Sequence, residues 1–239
     1  MPDHPSVARV GAASTRVRLT GIAVDADGID SRLRSAERAL AQAGLDRRAL
    51  AAVINVGAAD AADTAAGICV RLGLGGVPGV QALDMVDDGC GVPSSIAVGA
   101  SILAHRRGAV LLTVDGGALV VGAMPLSASA PQEPVTTAGR RTADVQLDHD
   151  SPGTAVEHVL STVGDEMPIV AVVPGGLRLA PGRRFVSVCL ASRSAAPIEG
   201  LLQARAEGCS EVVLVTANDR GRAAAVVCHL VSDADRRRE

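Results

Sequence analysis

The sequence contains no lysine, tryptophan or tyrosine and a single phenylalanine, Phe185. Without lysine the chain has neither a Schiff-base nucleophile nor the phosphate-binding lysine of a Walker-type loop. Without more aromatic side chains it lacks the stacking platforms that single-stranded nucleic-acid and sugar sites usually need. The net charge is −3 and neither half carries a stripe of basic residues, so we expect no nucleic-acid partner.

Signals for membranes, secretion and metal binding are missing as well. No uncharged apolar run reaches the roughly 18–20 residues of a membrane span, and the first residues lack the layout of a signal peptide. The cysteines are odd in number and form no C-x-x-C pair, which disfavours disulfides and a zinc site. We therefore expect a cytoplasmic protein with reduced thiols, no metal, no cofactor and no membrane contact. The cysteines are Cys69, Cys90, Cys189, Cys209 and Cys228.

What the chain does contain is an alternation of helical and strand patterns. Of its 239 residues 48% are hydrophobic and the mean hydropathy is +0.28, which excludes a disordered chain. Helical stripes that stop at glycine alternate with short apolar runs, as is typical of α/β proteins. Strands are predicted at Ala51–Val56, Val80–Val86, Ala109–Val114, Ala118–Met124, Ile169–Val173, Phe185–Leu190, Glu211–Thr216 and Ala223–Leu230.

One order of elements occurs twice: strand, tight turn, proline-started helix, strand, polar glycine turn and strand. The first copy is Val80–Met124 and the second is Val186–Leu230. We therefore predict two like α/β halves, residues 1–126 and 151–239, joined by a linker or surface loop at 127–150. Each half is predicted to be a mixed sheet, mostly parallel with one antiparallel edge. The alternative is a single doubly wound sheet with accidental similarity between its two parts.

Three stretches carry a resemblance to a known superfamily. They are residues 39–46 (ALAQAGLD), the strand 52–57 and the segment 81–92 (QALDMVDDGCGV). In this order they resemble the thiolase-fold condensing enzymes, and among these a shortened, degenerate 3-oxoacyl-ACP synthase III. The resemblance implies a layered α-β-α-β-α architecture made of two βαβ-type halves. It also implies acyl-thioester chemistry in fatty-acyl or polyketide-like biosynthesis.

The position of the family's nucleophile is occupied by glycine. In the family the nucleophilic cysteine lies five residues after an aspartate and two before a glycine. Counted from Asp84 and from Gly91, that position is Gly89, and Cys90 lies one residue later. The resemblance thus implies a nucleophile-elbow position at Gly89, Cys90 and Gly91 without the family's cysteine in its place.

The family's other two catalytic residues are also replaced. Its histidine follows the strand Ile169–Val173, where this chain has Pro174-Gly175-Gly176. Its asparagine lies in a loop where this chain reads Leu190-Ala191-Ser192-Arg193. We therefore expect no catalytic residues of the family type.

Cys90 remains the one candidate nucleophile. It precedes the helix that Pro93 opens, and a helix N-terminus lowers the pKa of a thiol. With a one-residue insertion it would carry an acyl group in a condensation, which needs a thiolate and an oxyanion hole. Asp87 and Asp88 oppose thiolate formation by like-charge repulsion. The other interpretation of Cys90 is a structural cysteine of the turn.

Three hypotheses for the function remain open. The first is a non-catalytic subunit that pairs, as a dimer, with a catalytic thiolase-fold homologue or with itself. The second is a shortened acyltransferase or condensing enzyme that uses Cys90, and the third is an acyl- or CoA-binding module. Acyl carrier protein or acyl-CoA are further expected partners. The resemblance implies a dimer joined along Val80–Val86, and strand alternation places Gln81, Leu83 and Met85 on the face that would meet the partner.

Overall fold

The computed structural model describes residues 16–25, 30–58, 63–123, 152–163, 166–175, 177, 179, 182–190 and 193–232. The predicted linker at 127–150 lies outside the described residues. The first half contains β1 (Arg16–Val24), α1 (Ser31–Ala43), a short 3-10 helix (Arg47–Ala49), β2 (Leu50–Gly57), α2 (Ala65–Arg71), β3 (Gln81–Val86), α3 (Gly91–His105), β4 (Ala109–Val114) and β5 (Gly117–Gly122). The second half contains α4 (Pro152–Ser161), β6 (Ile169–Val173), β7 (Phe185–Leu190), α5 (Ala196–Ala206), β8 (Glu211–Ala217) and β9 (Ala223–Leu230).

The described strands form one nine-stranded sheet in the order β3-β2-β4-β5-β1-β9-β8-β6-β7. Strand β5 runs antiparallel to β4 and β1, and β9 runs antiparallel to β8 but parallel to β1. The antiparallel strands therefore lie inside the sheet, and its two edges are the parallel strands β3 and β7. The predicted antiparallel edge is present in the second half, where β9 is the last strand of that half. It is absent from the first half, because β1 pairs with β5 on the side away from β4.

Helices α3 and α5 lie between the two parts of the sheet. Helix α3 contacts β2 and β4 of the first half and β8 and β9 of the second, and α5 contacts β6 and β7 but also β1 and β5. Helices α1 and α2 cover the outer face of the first half, and α4 covers the outer face of the second. The layers thus follow in the order helix, sheet, helix, sheet, helix. This confirms the α-β-α-β-α architecture that the resemblance implies.

Small residues let the middle helices approach the strands closely. A Cβ atom at Gly200 of α5 would lie 2.4 Å from Val170 Cγ1 of β6. A Cβ atom at Gly117 of β5 would lie 2.9 Å from Ile198 Cδ1 of α5. Both distances are far inside normal carbon contacts. Helix α5 therefore packs closely against strands of both halves, and at each contact one of the two partners is a glycine.

Candidate functional site

A cavity of about 210 Å³ lies between the two equivalent turns of the repeat, β3–α3 and β7–α5. It is bounded by the N-terminal ends of α3 and α5 and by strand β6. The lining is mixed, with one carboxylate, one guanidinium and one hydroxyl among apolar side chains. Its lining residues are Asp87, Gly89, Val92, Val172, Arg193, Ser194 and Pro197.

Two aspartates shape the β3–α3 turn. Asp87 Oδ1 accepts a hydrogen bond from the Gly89 amide at 3.0 Å, and Asp88 Oδ1 accepts one from the Cys90 amide at 3.1 Å. Side chains that bind the backbone two residues on are a standard way to form a tight turn. The acidic pair that we expected to repel a thiolate is thus occupied in holding the turn. Gly89 adopts φ +90°, a conformation that favours glycine.

The space next to Gly89 is filled by the other half of the chain. A Cβ atom at Gly89 would lie 2.9 Å from Asn218 Cβ and 3.7 Å from the Ala217 carbonyl oxygen. Asn218 belongs to the β8–β9 turn, and its Nδ2 donates to the Asp88 carbonyl oxygen at 2.8 Å. The position at which the resemblance places the family's nucleophile therefore has no room for a side chain.

Cys90 is fully buried and is not among the cavity's lining residues. Its Sγ lies 3.7 Å from the Thr216 carbonyl oxygen and 3.6 Å from the Arg222 carbonyl oxygen, at thiol donor distances for both. The thiol thus points beneath the β8–β9 turn. A helix N-terminus is present as predicted, since Cys90 is the N-cap of α3. In this geometry the sulfur does not reach a ligand in the cavity.

An ion pair holds the β8–β9 turn over the β3–α3 turn. Arg222 Nη1 pairs with Asp88 Oδ2, and the two side chains are about one third exposed. Asn218 Oδ1 accepts hydrogen bonds from the amides of Arg220 and Arg222, both at 3.0 Å, so the turn itself is rigidly formed. The sequence predicts this segment only as a polar turn. Its contacts with Asp88 join residues 130 or more positions apart, so no local sequence pattern could indicate them.

The second-half side of the cavity carries different chemistry. Pro174 and Gly175 follow β6 at the family's histidine position, whereas Gly176, Ala191 and Ser192 lie outside the described residues. Arg193 and Ser194 line the cavity next to the family's asparagine position. Arg193 Nη2 contacts both carboxylate oxygens of Glu199, at 2.6 and 2.7 Å. A cation thus stands near the mouth of the cavity, oriented by the first turn of α5.

The cavity combines three polar groups with apolar contacts. Asp87, Arg193 and Ser194 offer an acceptor, a cation and a hydroxyl to a small polar group, and Val92, Val172 and Pro197 offer apolar contact. Thioester condensation needs an accessible thiolate and polar donors for an enolate. The described lining contains no cysteine, histidine or asparagine.

Strand β3, the expected dimer strand, is an edge of the sheet. Leu83 and Met85 are half-buried and pack toward the middle layer, where Ser95 Oγ lies 3.1 Å from the Met85 sulfur. Gln81 is exposed at the start of the strand. A partner would therefore meet the hydrogen-bonding edge of β3, since the face with Leu83 and Met85 is largely used by α3. Val86, at the end of the strand, is 60% exposed.

Other candidate chemistry does not gather into a second centre in the described part of the chain. Burial raises the pKa of the Cys228 thiol, and burial followed by the nearby Asp84 carboxylate raises the pKa of Cys69. Within the described ranges no group of three histidine, cysteine or acidic side chains is placed to hold a metal ion. No described helix combines the length and apolarity that crossing a membrane requires.

Comparisons with known proteins identify the fold. No family model and no curated protein matches the chain. A solved structure described as "AbyA1 - tetronic acid condensing enzyme" matches with a TM-score of 0.59 and 16% identity, over 87% of this chain and 97% of that chain. The priming β-ketosynthase from the R1128 polyketide biosynthetic pathway matches with a TM-score of 0.55 and 11% identity, over 92% and 98%. Both are condensing enzymes with a thiolase-like architecture. The chain has the thiolase fold.

Within the thiolase fold, the cavity lies where the two halves of the repeat meet. The resemblance places the family's three catalytic positions around the same two turns, at Gly89, after β6 and before α5. At identities of 16% and 11% the likeness establishes the architecture and leaves the activity to be argued from the site.

Proposed function

We propose that the chain is a non-catalytic thiolase-fold subunit that pairs with a catalytic condensing enzyme in polyketide-like or fatty-acyl biosynthesis. The observation that carries the proposal is the closure of the nucleophile position. Gly89 has no space for a side chain because Asn218 packs against it, and the Cys90 thiol lies under the β8–β9 turn. A subunit of this kind keeps the fold and the cavity while the covalent step takes place on its partner.

Two further features support the proposal, one for the pairing and one for the pathway. Strand β3 is an edge of the sheet, and an edge strand is a template for adding a strand from another chain. The structural neighbours named above are condensing enzymes, and one of them comes from a polyketide pathway. This supports a role in biosynthesis of that kind. A cytoplasmic location is part of the same proposal, because the precursors of such pathways are carried there as thioesters.

A second candidate is an acyl- or CoA-binding module that acts without a partner enzyme. The cavity of about 210 Å³ with Arg193 and Ser194 in its wall favours it. This volume is below the usual range of drug-sized sites, so a short acyl group fits better than a long chain. The Cys90 acyltransferase hypothesis has no comparable support, because the sulfur does not line the cavity.

Intact-mass spectrometry separates the three hypotheses. The protein is incubated with acyl-CoA and acyl-carrier-protein panels, alone and with a co-encoded full-length homologue. We expect no adduct on this chain and an adduct on a homologue that copurifies with it. A mass gain on the wild type that is absent from Cys90→Ser would establish the acyltransferase. Saturable binding by the isolated chain without adduct or partner would establish the binding module.

The role of the edge strand is tested on the same complex. Replacing Ala82, an exposed residue of the edge strand β3, with proline removes a backbone N–H from this strand and should abolish copurification. The matched control is Val188→Pro on β7, the opposite edge, where Val188 is 54% exposed. Copurification that survives Ala82→Pro, in a protein whose circular dichroism matches wild type, would rule out pairing through β3.

A further inference from the structure

A buried arginine lies outside the cavity, on helix α1. Arg32 is 7% exposed, and its Nη1 donates to Asn55 Oδ1 at 2.6 Å. Among the residues that the structure describes, no carboxylate forms an ion pair with Arg32. A buried charge whose only partner is a neutral amide is costly, because its lost hydration is not repaid by an opposite charge.

The amide that contacts Arg32 is already fully used. Asn55 Oδ1 also accepts from Thr113 Oγ1 at 3.2 Å, and Asn55 Nδ2 donates to Asp84 Oδ1 at 3.0 Å and to the Asp63 carbonyl oxygen at 2.8 Å. The nearest carboxylate of this network is therefore separated from the guanidinium by Asn55. Asn55 therefore accepts one hydrogen bond from the guanidinium, at Nη1. The residues bound to Asn55 provide no acceptor for the other N–H groups of Arg32.

Two donors on the same face of α1 have no hydrogen-bond partner. They are Arg32 Nε and Ser35 Oγ, and each exposes less than 1 Å². Residues three apart in a helix lie on one face, so both donors point to the same side of α1. The buried positions that follow on this face are alanines, Ala36 and Ala39. Buried donors in native proteins are nearly always paired, so two together indicate a missing acceptor.

We propose that Arg32 and Ser35 hold a monoatomic anion, chloride under ordinary conditions, beneath the first turns of α1. The charge of the guanidinium and the two donors select a negative ligand, and the N-terminal position on the helix favours the same sign. Two donors three residues apart on one buried helix face, followed on that face by Ala36 and Ala39, suit a single atom better than a polyatomic oxyanion. Guanidinium is weakly hydrated, which suits chloride or bromide better than the strongly hydrated fluoride. This site is independent of the cavity and of the proposed partner.

Thermal unfolding in different sodium salts at constant ionic strength tests the proposal. We expect chloride and bromide to raise the Tm of the wild type relative to fluoride, by about 3–5 °C for each tenfold rise in chloride above its dissociation constant. Salt exclusion from the surface acts in the opposite direction, because fluoride is the more strongly hydrated anion. Line broadening of ³⁵Cl NMR by the wild-type protein gives a second readout of binding.

Ser35→Ala removes one donor and keeps the charge, so it should reduce the chloride-dependent rise in Tm and the ³⁵Cl line broadening. Arg32→Met should abolish both. Arg48→Met is the control, because Arg48 is exposed and its side chain forms no hydrogen bond or ion pair within the described part of the chain. If Arg32→Met does not fold, Ser35→Ala decides. A wild-type Tm that is the same in chloride and fluoride overturns the proposal. So does a full chloride effect in Ser35→Ala, or its loss in Arg48→Met.

Discussion

The two copies of the repeat line the same cavity, but the turn of the first copy is covered more fully than the turn of the second. In the first copy the β3–α3 turn is covered by the β8–β9 turn, through Asn218, through the Asp88–Arg222 pair and through the buried Cys90. In the second copy, among the described residues of the β7–α5 turn, the small Ala195 lies against the β4–β5 turn, since a Cβ atom at Gly116 would lie 3.7 Å from Ala195 Cβ. The nucleophile side of the site is closed, and the side that carries Arg193 stays accessible.

Both sides of the cavity have polar contacts, but the two sets differ. Here the closed side has a set of matched hydrogen bonds between the two halves, and the other side keeps an oriented cation at the cavity. This difference supports the proposal of a subunit that binds or shapes a ligand without reacting with it.

The strongest test of the closed side is Gly89→Ala. We expect a loss of about 2–4 kcal/mol in unfolding free energy, because a Cβ atom meets Asn218 and the φ of +90° is strained for alanine. Gly208→Ala is the matched control, since Gly208 has φ +79° and no atom within 4 Å of the added Cβ. It should cost about 1 kcal/mol. Equal losses in urea denaturation would show that Asn218 does not fill the position.

Asn218→Ala should have the next largest effect. The substitution removes three hydrogen bonds, one to the Asp88 carbonyl and two from backbone amides of the turn. We expect a loss of about 1–3 kcal/mol in unfolding free energy and faster alkylation of Cys90, whose cover is loosened. Asp219→Ala, at the exposed tip of the same turn, should change neither. Mapping the alkylated cysteine by peptide mass spectrometry checks the second claim, and an unchanged Cys90 rate would contradict it.

Alkaline pH should weaken the fold through a thiol far from the cavity. Burial raises the folded-state pKa of Cys228, so above the ordinary value of 9.0 the unfolded chain loses this proton first. Stability is therefore full below pH 9 and falls as pH rises, by about 1.4 kcal/mol per pH unit for one thiol. Cys228→Val should flatten the slope of unfolding free energy against pH between 9 and 10.5. Cys209→Val, at a half-buried thiol of the same half, serves as the comparison.

The smallest effects belong to the two ion pairs, and they sharpen the comparison of the two sides. Double-mutant cycles are expected to give a coupling energy of up to about 1 kcal/mol for Asp88–Arg222 and less for Arg193–Glu199. The reason is exposure: the Arg222 and Asp88 side chains are 36% and 34% exposed, whereas Arg193 is 61% exposed. A larger coupling for Arg193–Glu199 would mean that the accessible side is the more rigid one.

Much of the fold could be predicted from the sequence. The strands at Ala109–Val114, Ile169–Val173, Phe185–Leu190 and Ala223–Leu230 have the predicted bounds, because continuous apolar runs between glycine turns define buried strands sharply. Strand β1 was missed, since its segment RVRLTGIAV mixes arginines with apolar residues. With β1 unknown, the pairing of β5 and β9 to it could not be predicted, and the antiparallel strands were placed at the edges.

The site was predicted only in its local part. Spacing alone located Gly89 and Cys90 at the turn before α3, and the structure places them there. The closure by Asn218 and Arg222 could not be predicted, because it joins residues far apart in the chain. The direction of the Leu83 and Met85 side chains could not be predicted either. Strand alternation shows that they share a face, but it does not show that this face packs on α3.

The pairing of β1 with β9 also constrains how the protein is made. Arg16 lies opposite Val227 and Leu19 opposite Leu230, so β1 is completed by a strand that is synthesised long after it. Contacts of such long sequence separation slow folding and leave partly formed sheets exposed in the meantime. During synthesis β1 can pair with β5 early, but its pairing with β9 forms only after β9 has been made. The first half is therefore expected to form during translation, and the joining of the halves to follow it.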